Sequence, residues 1–451
     1  MTKNIETVVW IVSLVLTGCN LVPTFQSPSV EIPEQWRRQT VADKANDIDP
    51  QWWTTFGSAA LNNLIERALA YNNDLAAAGQ RVEQARAQAK IAGAELWPAI
   101  GLAGNFNSTH NDLGQTQRET GQLSVGYEVD LWGANRAKRD AGQARLLSEV
   151  FARDALQLVL MADVAQAYFN LLAIQERKRI ASEFLQNVDD VLAIVEARFQ
   201  AGAISAVDVA QQRTERASAR ASLDLVIQQQ MLAENTLAIL LGESPQEWSE
   251  TAGLLTELQM PLINPQQPSS LLQRRPDVRQ IEMQLQAANA DVGIALAGFY
   301  PKLQLNLDTI LANPQPAGLA LAMAANLAQP LFQGGRLEGG LENARARNAE
   351  LVEIYQQTLL TAFKDVEDAS AIRRQANLRL QALAEAVGKA NEAYQLAQDQ
   401  YRVGAIDYQT LLNTQRTLLT AKNNRVQAHL DLLVALAQLY KALGGGWMAA
   451  R

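Results

Sequence analysis

The chain has 451 residues, of which 48% are hydrophobic and 19% are charged, and length alone would suggest two or three globular domains. The formal net charge of −8 at pH 7 argues against nucleic acid as a partner, because phosphate binding needs a basic face. The single cysteine, Cys19, excludes an intrachain disulfide. The chain has only two histidines, His110 and His429, so a histidine-based catalytic triad or a His/Cys metal site is improbable.

The N-terminal segment has the pattern of an export signal. Residues 8–16 are apolar except for Ser13, a run too short to span a bilayer as a helix but typical of the apolar core of a signal peptide. The next residues, Leu16-Thr17-Gly18-Cys19, resemble a bacterial lipobox. This predicts a signal peptide at 1–18 and a lipid on the thiol of Cys19. The alternative is a buried cysteine on a core segment.

Residues 19–57 are predicted to form a lipid-anchored N-terminal arm. Polar residues and prolines dominate the stretch 20–50, with prolines at 23, 28, 33 and 50. Such a composition favours extended chain over helix. We therefore expect the arm to lie along the body of the protein.

From Leu61 onward, small and apolar residues recur at alternating spacings of four and three. This 3.5-residue repeat is typical of helices that coil around their neighbours. The positions are Leu64, Ala68, Tyr71, Leu75, Ala78, Val82, Ala85, Ala89 and Ala92. Pro98 ends the pattern, because proline disfavours helix at the residue before it.

Two segments with alternating polarity follow, and the pattern predicts a β-hairpin with strands at about 97–108 and 120–131. The polar stretch between them, Asn107 to Thr120, is predicted to be a loop. A second hairpin is predicted further along, with strands at about 301–311 and 317–330.

The predicted strands are about ten residues long, which suits a tilted strand that crosses a membrane. The alternative is the edge of a soluble β-sandwich. Four strands cannot close a barrel, and an open sheet edge is not tolerated in hydrocarbon. If these strands cross a membrane, several chains must contribute to one barrel.

Very long helices are predicted after each hairpin, because no proline occurs at 99–244 or 331–451. A helix over 135–200 would be roughly 100 Å long. The segment 242–276 is rich in proline and loses the helical repeat, so it is predicted to be a linker. Residues 444–451 are predicted to be a C-terminal tail.

The chain is a tandem duplication. Phe199, Gly202, Ala203 and Ile204 match Tyr401, Gly404, Ala405 and Ile406 at a constant offset, 404 − 202 = 202 residues. The first repeat is predicted at 58–241 and the second at 277–443. In each repeat, the glycine is expected to reverse the chain at a helix-turn-helix tip.

Several short motifs together resemble the TolC family of outer membrane efflux channels, in its lipoprotein branch that serves resistance-nodulation-division pumps. The motifs are Trp52-Trp53-Thr54-Thr55-Phe56-Gly57, Asp130-Leu131-Trp132-Gly133, Leu272-Gln273-Arg274-Arg275-Pro276-Asp277, Gln329-Pro330-Leu331-Phe332 and Val403-Gly404-Ala405. The resemblance implies a mainly α-helical fold with membrane β-strands. Three chains would form a 12-stranded β-barrel that continues as a periplasmic α-helical barrel.

The same resemblance implies a passive exit duct rather than an enzyme, located in the outer membrane and extending into the periplasm. Its implied partners are two further copies of itself, a periplasmic adaptor protein, an inner-membrane pump and outer membrane lipid, without nucleic acid. It implies no cofactor or metal, apart from the covalent lipid on Cys19. The alternative function is a lipid-anchored periplasmic coiled-coil scaffold that forms no pore.

The resemblance also implies functional residues at the tips. The gate would include Asp208 and Tyr401, with Arg402 as a nearby cation, because Ile406 stands where the best-known member has an arginine. The constriction would be formed by Thr410 and Asn413. Contacts with the adaptor would involve Gly202, Ala203, Gly404 and Ala405. The alternatives for the gate residues are that Asp208 is an acid at a helix start and that Tyr401 is a packing residue.

Overall fold

The computed structural model describes residues 21–37, 49–111, 114–246, 253–263, 268–313, 320–445 and 447. The signal peptide and Cys19 lie outside these residues. The α-helices are α1 (Ala59–Tyr71), α2 (Asn73–Ala94), α3 (Ala134–Gln200), α4 (Ala206–Leu240), α5 (Leu271–Arg274), α6 (Pro276–Ala297), α7 (Arg336–Arg402) and α8 (Tyr408–Ala442). The strands are β1 (Ala99–Asn111), β2 (Gly114–Val129), β3 (Lys302–Asn313) and β4 (Ala320–Ala328).

The element order is the same in the two halves. Three helix pairs also have equal lengths, whereas α1 has 13 residues and α5 has 4. Helices α2 and α6 have 22 residues each, and α3 and α7 have 67 each. Helices α4 and α8 have 35 residues each. The predicted duplicated half, made of a helix, a β-hairpin and a long helix pair, is therefore confirmed.

Glycine marks the same close contact in each half. Gly242 and Gly444 follow the ends of α4 and α8 in left-handed conformations, with φ of 72° and 73°. A Cβ atom on Gly242 would lie 2.2 Å from the carbonyl oxygen of Tyr71, and one on Gly444 would lie 2.2 Å from that of Arg274. Both positions thus require glycine for its conformation and for the space that it leaves.

The chain forms two compact units that do not coincide with its two halves. The first comprises residues 1–31, 78–153 and 277–358, and the second comprises 32–77, 154–276 and 359–451. Each unit therefore takes parts of both repeats, as is expected when two copies of one motif pack side by side.

The first unit contains a four-stranded antiparallel sheet in the order β1-β2-β3-β4. The register aligns the apolar positions of all four strands in rows, one of which is Ile100, Val125, Leu307 and Met323. The neighbouring row consists of Gly101, Ser124, Asp308 and Ala322. Because successive side chains alternate between faces, one face of the sheet is apolar and the other is small or polar.

The predicted loop from Asn107 to Thr120 is wrong, because the strands continue through most of it. Asn107 pairs with Arg118, and strand pairing extends to Asn111 opposite Gly114. The prediction followed side-chain alternation, which is lost in this polar stretch, whereas the ladder is made by backbone groups of any residue. Between β3 and β4, residues 314–319 lie outside the described part of the chain.

The second unit is built around a cluster of aromatic side chains. Trp52 and Phe56 are fully buried, and the Trp52 ring stacks on Tyr440 with ring centroids 4.9 Å apart. Phe56 packs against Phe169 at 5.0 Å. Residues Trp52–Phe56 form a 3-10 helix in this core, just after the stretch 20–50 that is predicted to be extended. Burial of three large rings gives a strong reason for this local structure.

Among the described helices, α3 is long and apolar enough to cross a membrane, but 67% of its most apolar window is buried inside the chain. Its small and apolar repeat accounts for this burial. Ala137, Ala141, Leu158, Ala162, Ala165, Phe169 and Leu172 are buried. Helix α3 is therefore a core helix of the predicted coiled-coil type.

Candidate functional site at the two helix turns

The two helix-turn-helix tips both belong to the second unit and share one backbone geometry. Gly202 and Gly404 are left-handed, with φ of 75° and 77°. The amide of Ala203 donates to the carbonyl of Arg198 at 2.9 Å, and that of Ala405 donates to Gln400 at 2.8 Å. This bond from five residues back closes a helix C-terminus around a glycine. The reversals at the predicted glycines have this physical cause.

Acidic or hydroxyl side chains cap the helices that leave the turns. Ser205 and Asp208 form a capping box at the start of α4, in which the Asp208 carboxylate accepts from the Ser205 amide and hydroxyl, each at 3.0 Å. Asp407 caps α8 by accepting from the Thr410 amide at 2.8 Å. Hydrogen bonds from the side chain and the backbone amide of Thr410 lower the pKa of the Asp407 carboxyl.

The structure does not join the predicted gate residues to one another within one chain. Asp208 is engaged in its capping box, which matches the alternative of an acid at a helix start. Arg402 is exposed and pairs with Asp399 on its own helix at 3.4 Å. The hydroxyl of Tyr401 is buried and has no hydrogen-bond partner among the described residues.

Tyr401 is held by Arg198, a residue that the sequence did not single out. The Arg198 guanidinium donates from Nη1 to the Tyr401 carbonyl at 2.8 Å, and its central carbon lies 4.8 Å from the centre of the Tyr401 ring. Burial raises the pKa of the Tyr401 hydroxyl, and the positive charge of Arg198 opposes that rise. The cation therefore binds both the end of α7 and the ring.

Two further polar contacts join the helix pairs. The Tyr408 hydroxyl donates to Gln212 Oε1 at 2.6 Å, and Gln212 Nε2 donates to the Val188 carbonyl at 2.8 Å. Arg416 pairs with Glu215, whose side chain is only 9% exposed. Burial, reinforced by the charge of Glu215, raises the pKa of Tyr408 to about 12. The Tyr408 hydroxyl thus stays protonated at neutral pH and serves as a donor.

An apolar cluster surrounds these contacts and takes residues from all four tip helices. Its members are Val191, Val195, Val209, Ala390, Tyr394, Ala397, Tyr401, Tyr408, Leu411, Leu412 and Leu418. Sequence periodicity predicted apolar positions of this kind, but it could not predict which helix each one faces. Contacts between residues about 200 positions apart leave no local signal in a single sequence.

The remaining predicted residues are at the surface of the tips. Gly202, Ala203, Gly404 and Ala405 are exposed. Thr410 and Asn413 are also exposed and are three residues apart, which places them on one face of α8. No cluster of three or more His, Cys, Asp or Glu residues within the described ranges could hold a metal ion.

A groove of about 720 Å³ lies beside the first turn, between α3 and α4. Phe199, which is 40% exposed, and Val209 contribute apolar surface there. The ion pair of Arg213 with Glu196, at 2.8 Å, crosses the same groove. This surface combines the aromatic ring of Phe199 with charged edges, as sites of protein contact often do.

A comparison with known families matches the outer membrane efflux protein model twice, at residues 64–243 and again at 267–445. The chain belongs to the outer membrane efflux protein family. The two matches coincide with the duplicated halves, and the family is one of transport proteins rather than enzymes. The recognition made from the sequence motifs is therefore confirmed.

Individual members of the outer membrane efflux protein family support this assignment over almost the whole length. The pyoverdine export outer membrane protein OpmQ of Pseudomonas aeruginosa is 37% identical, with 97% of this chain and 96% of that protein covered. A crystal structure of CusC, described as a transmembrane channel, is 27% identical with a TM-score of 0.85, covering 95% of this chain and all of that chain. The open state of the MtrE outer membrane channel of Neisseria gonorrhoeae is 27% identical with a TM-score of 0.85, covering 95% and 98%.

Substitution of the two turn glycines separates backbone strain from the Arg198 contact. Gly202→Ala should cost only the strain of a left-handed alanine, about 1 kcal/mol. A Cβ at 202 meets no atom within 4 Å, whereas a Cβ at 404 would lie 3.2 Å from Nη2 of Arg198. Gly404→Ala should therefore lower the midpoint of thermal unfolding in detergent more than Gly202→Ala does. With Arg198→Ala as the background, the two alanines should cost the same, and a difference that persisted would contradict this account.

Proposed function

We propose that this chain is the outer membrane exit duct of a tripartite efflux pump, a passive channel of three copies. It would carry substrates from a periplasmic adaptor and an inner-membrane pump to the exterior. The observation that carries the proposal is the sheet, which has an apolar face and two free edges, at β1 and β4. Leu102 on β1 and Met323 on β4 each have 83% of their side chains exposed.

A lone sheet of this kind is stable neither in hydrocarbon nor in water. In hydrocarbon the unpaired N–H and C=O groups of each edge lack partners. In water the apolar face is exposed, and the edges invite pairing with other chains. Pairing of β4 of one copy with β1 of the next satisfies both edges, and three copies give twelve strands, an even number that suits an antiparallel barrel.

The helices give independent support for association between copies. Leu225, Leu232 and Ile239 on α4 are seven residues apart and have 54%, 57% and 64% of their side chains exposed. A heptad stripe of large apolar residues on a helix surface fits against another helix. A pore-free scaffold could use this stripe, but it would not need the apolar face of the sheet.

The lipid anchor at Cys19 and the residues of the tips belong to the same proposal. An acyl chain on the mature N-terminus would hold the arm at the membrane, in addition to the strands. The buried Tyr401 hydroxyl, the exposed Arg402 and the half-buried Asp208 would complete the gate across copies. The exposed Thr410 and Asn413 would form the constriction, and the exposed glycine turns would receive the adaptor.

A charge placed on either face of β4 tests whether the sheet contacts lipid. Met323→Arg adds a cation to the apolar face, which at mid-depth of a bilayer costs about 2–4 kcal/mol, so assembled protein in the outer membrane fraction should fall sharply. Ala322→Arg adds the same cation to the opposite face, in the row of Asp308, and should be tolerated. The measurement is the amount of detergent-extractable oligomer. Equal losses for both variants would contradict a membrane sheet.

The gate proposal is tested by two variants that each weaken the N-terminal cap of a tip helix and should lose a similar free energy of unfolding. Asp208→Ala and Asp407→Ala each remove the acid of an N-terminal cap, worth about 1 kcal/mol. If Asp208 also closes the channel, then only Asp208→Ala should raise the conductance of single channels in a planar bilayer. Tyr401→Phe should raise it as well, if another copy binds the buried hydroxyl. Equal conductance of all three variants and the parent would refute the gate assignment.

A further inference from the structure

One charged residue, Asp308, lies in the middle of the sheet, on its small or polar face. It belongs to the central part of β3 (Lys302–Asn313). Its neighbours in the row across the sheet are Gly101, Ser124 and Ala322. All three are small and uncharged, so the row gives the Asp308 carboxylate no opposite charge.

Gln122 on β2 fixes the orientation of this carboxylate. Its amide donates from Nε2 to Asp308 Oδ1 at 3.1 Å. An amide carries no charge, so this hydrogen bond does not neutralise the acid. It also uses one of about four acceptor positions of a carboxylate, which leaves the others for water and for passing cations.

The other charged side chains on this face are too far away to neutralise Asp308. Because side chains alternate between faces, the described strand residues place Arg118, Glu128 and Lys302 on the same face. Arg118 is 124 − 118 = 6 residues along β2 from Ser124, the partner of Asp308, which is about 20 Å. Glu128 and Lys302 pair with each other at 3.6 Å, towards the opposite end of the sheet. At physiological ionic strength, exposed charges are largely screened beyond about 8 Å.

A carboxylate in the middle of a membrane strand is costly in hydrocarbon and is tolerated where it faces water. Hydrogen bonding alone does not explain the acid, because an asparagine at 308 could accept the same bond from Gln122 without a charge. The charge itself therefore points to a role in the lumen.

In the proposed barrel of three copies, the polar face of the sheet lines the lumen and Asp308 occurs three times at one level. Twelve strands about 4.8 Å apart and tilted by about 40° give a barrel radius of roughly 12 Å. Side chains that point inward bring the three carboxylates to roughly 9 Å from the axis. This distance is close to the screening length of about 8 Å, so a solute on the axis senses their charge.

We propose that Asp308 sets the charge preference of the duct at the outer membrane, where it favours cationic over anionic solutes. This inference rests on the proposed function, since this face lines a lumen only in an assembled barrel. It assigns charge selection to the β-barrel rather than to the helix tips. The residues of the proposed constriction at the tips, Thr410 and Asn413, are uncharged.

The rate at which charged reagents modify a thiol beside Asp308 measures the local potential. Ala322→Cys places a thiol directly opposite Asp308 on β4, and Ser124→Cys places one opposite it on β2. The detergent-solubilised oligomer, checked for the parent's mass, is treated with a methanethiosulfonate that carries either trimethylammonium or sulfonate. Rates measured on the parent, whose one cysteine is Cys19, are subtracted.

The cationic reagent should react faster than the anionic reagent. Asp308→Asn should lower this rate ratio by about two- to threefold at about 0.15 M salt, as Coulomb's law gives for a charge about 7 Å away. At about 1 M salt the difference should vanish, because the screening length falls to about 3 Å.

Two double variants separate the charge from a structural role. Asn306→Asp combined with Asp308→Asn returns the charge to the same face, two residues along β3, and should restore most of the ratio. Glu128→Gln combined with Lys302→Gln removes two opposite charges from that face and should leave the ratio of the parent.

Failure of this inference and failure of the proposed function give different results. An unchanged ratio in Asp308→Asn, at thiols that do react, would overturn the role of Asp308 and leave the duct in place. Thiols at 124 and 322 that react with neither reagent would show that this face meets no water, which would overturn the proposed function. Met323→Cys on the apolar face is the control, since a thiol covered by detergent should react slowly in every variant.

Discussion

The free edges of the four-stranded sheet impose the constraint on which the rest of the structure depends. Every backbone N–H and C=O group inside a bilayer needs a partner, and β1 and β4 each have one edge without a neighbouring strand among the described residues. The rows of apolar residues across the sheet make exposure to water equally unfavourable. Both problems have the same solution, which is closure of the sheet by other copies. The exposed heptad stripe of α4 extends that requirement to the helices.

The duplication explains why the two halves share one fold. Sequence differences between the halves explain the contacts at the tips. The equal lengths of three helix pairs and the paired glycine contacts at Gly242 and Gly444 show how closely the two halves follow one plan. At the tips, by contrast, Arg198 and Tyr401 replace residues that the other half has as Gln400 and Phe199. A repeated backbone can form the same helices in both halves. A contact between two different side chains, one from each half, requires that the sequences of the halves differ.

The sequence predicted the fold well because the spacing of its apolar residues distinguishes helices from strands. The 3.5-residue spacing predicted the helices after Leu61, the absence of proline at 99–244 and 331–451 predicted the long helices, and alternating polarity predicted the two hairpins. It failed at Asn107 to Thr120, where strand pairing continues without apolar alternation. It made no prediction of the 3-10 helix at Trp52–Phe56, which packs in an aromatic core.

The candidate site was predictable only in part. The glycine turns could be located, since left-handed backbone strongly favours that residue. The roles of individual side chains could not, because Asp208 satisfies a helix cap in its own chain and Tyr401 is held through its carbonyl by Arg198. Periodicity identifies an inward-facing position but not its partner, and the polar contacts between the helix pairs join residues about 200 positions apart.

The account depends most directly on the number of chains that close the sheet, and the mass of the detergent-solubilised particle measures that number. Light scattering corrected for bound detergent should give three times the mass of the mature chain, which lies below the 49.4 kDa of the full sequence if the predicted signal peptide is removed. A monomer that stays folded and soluble without detergent would contradict the account, because it would leave both sheet edges and the apolar face exposed to water.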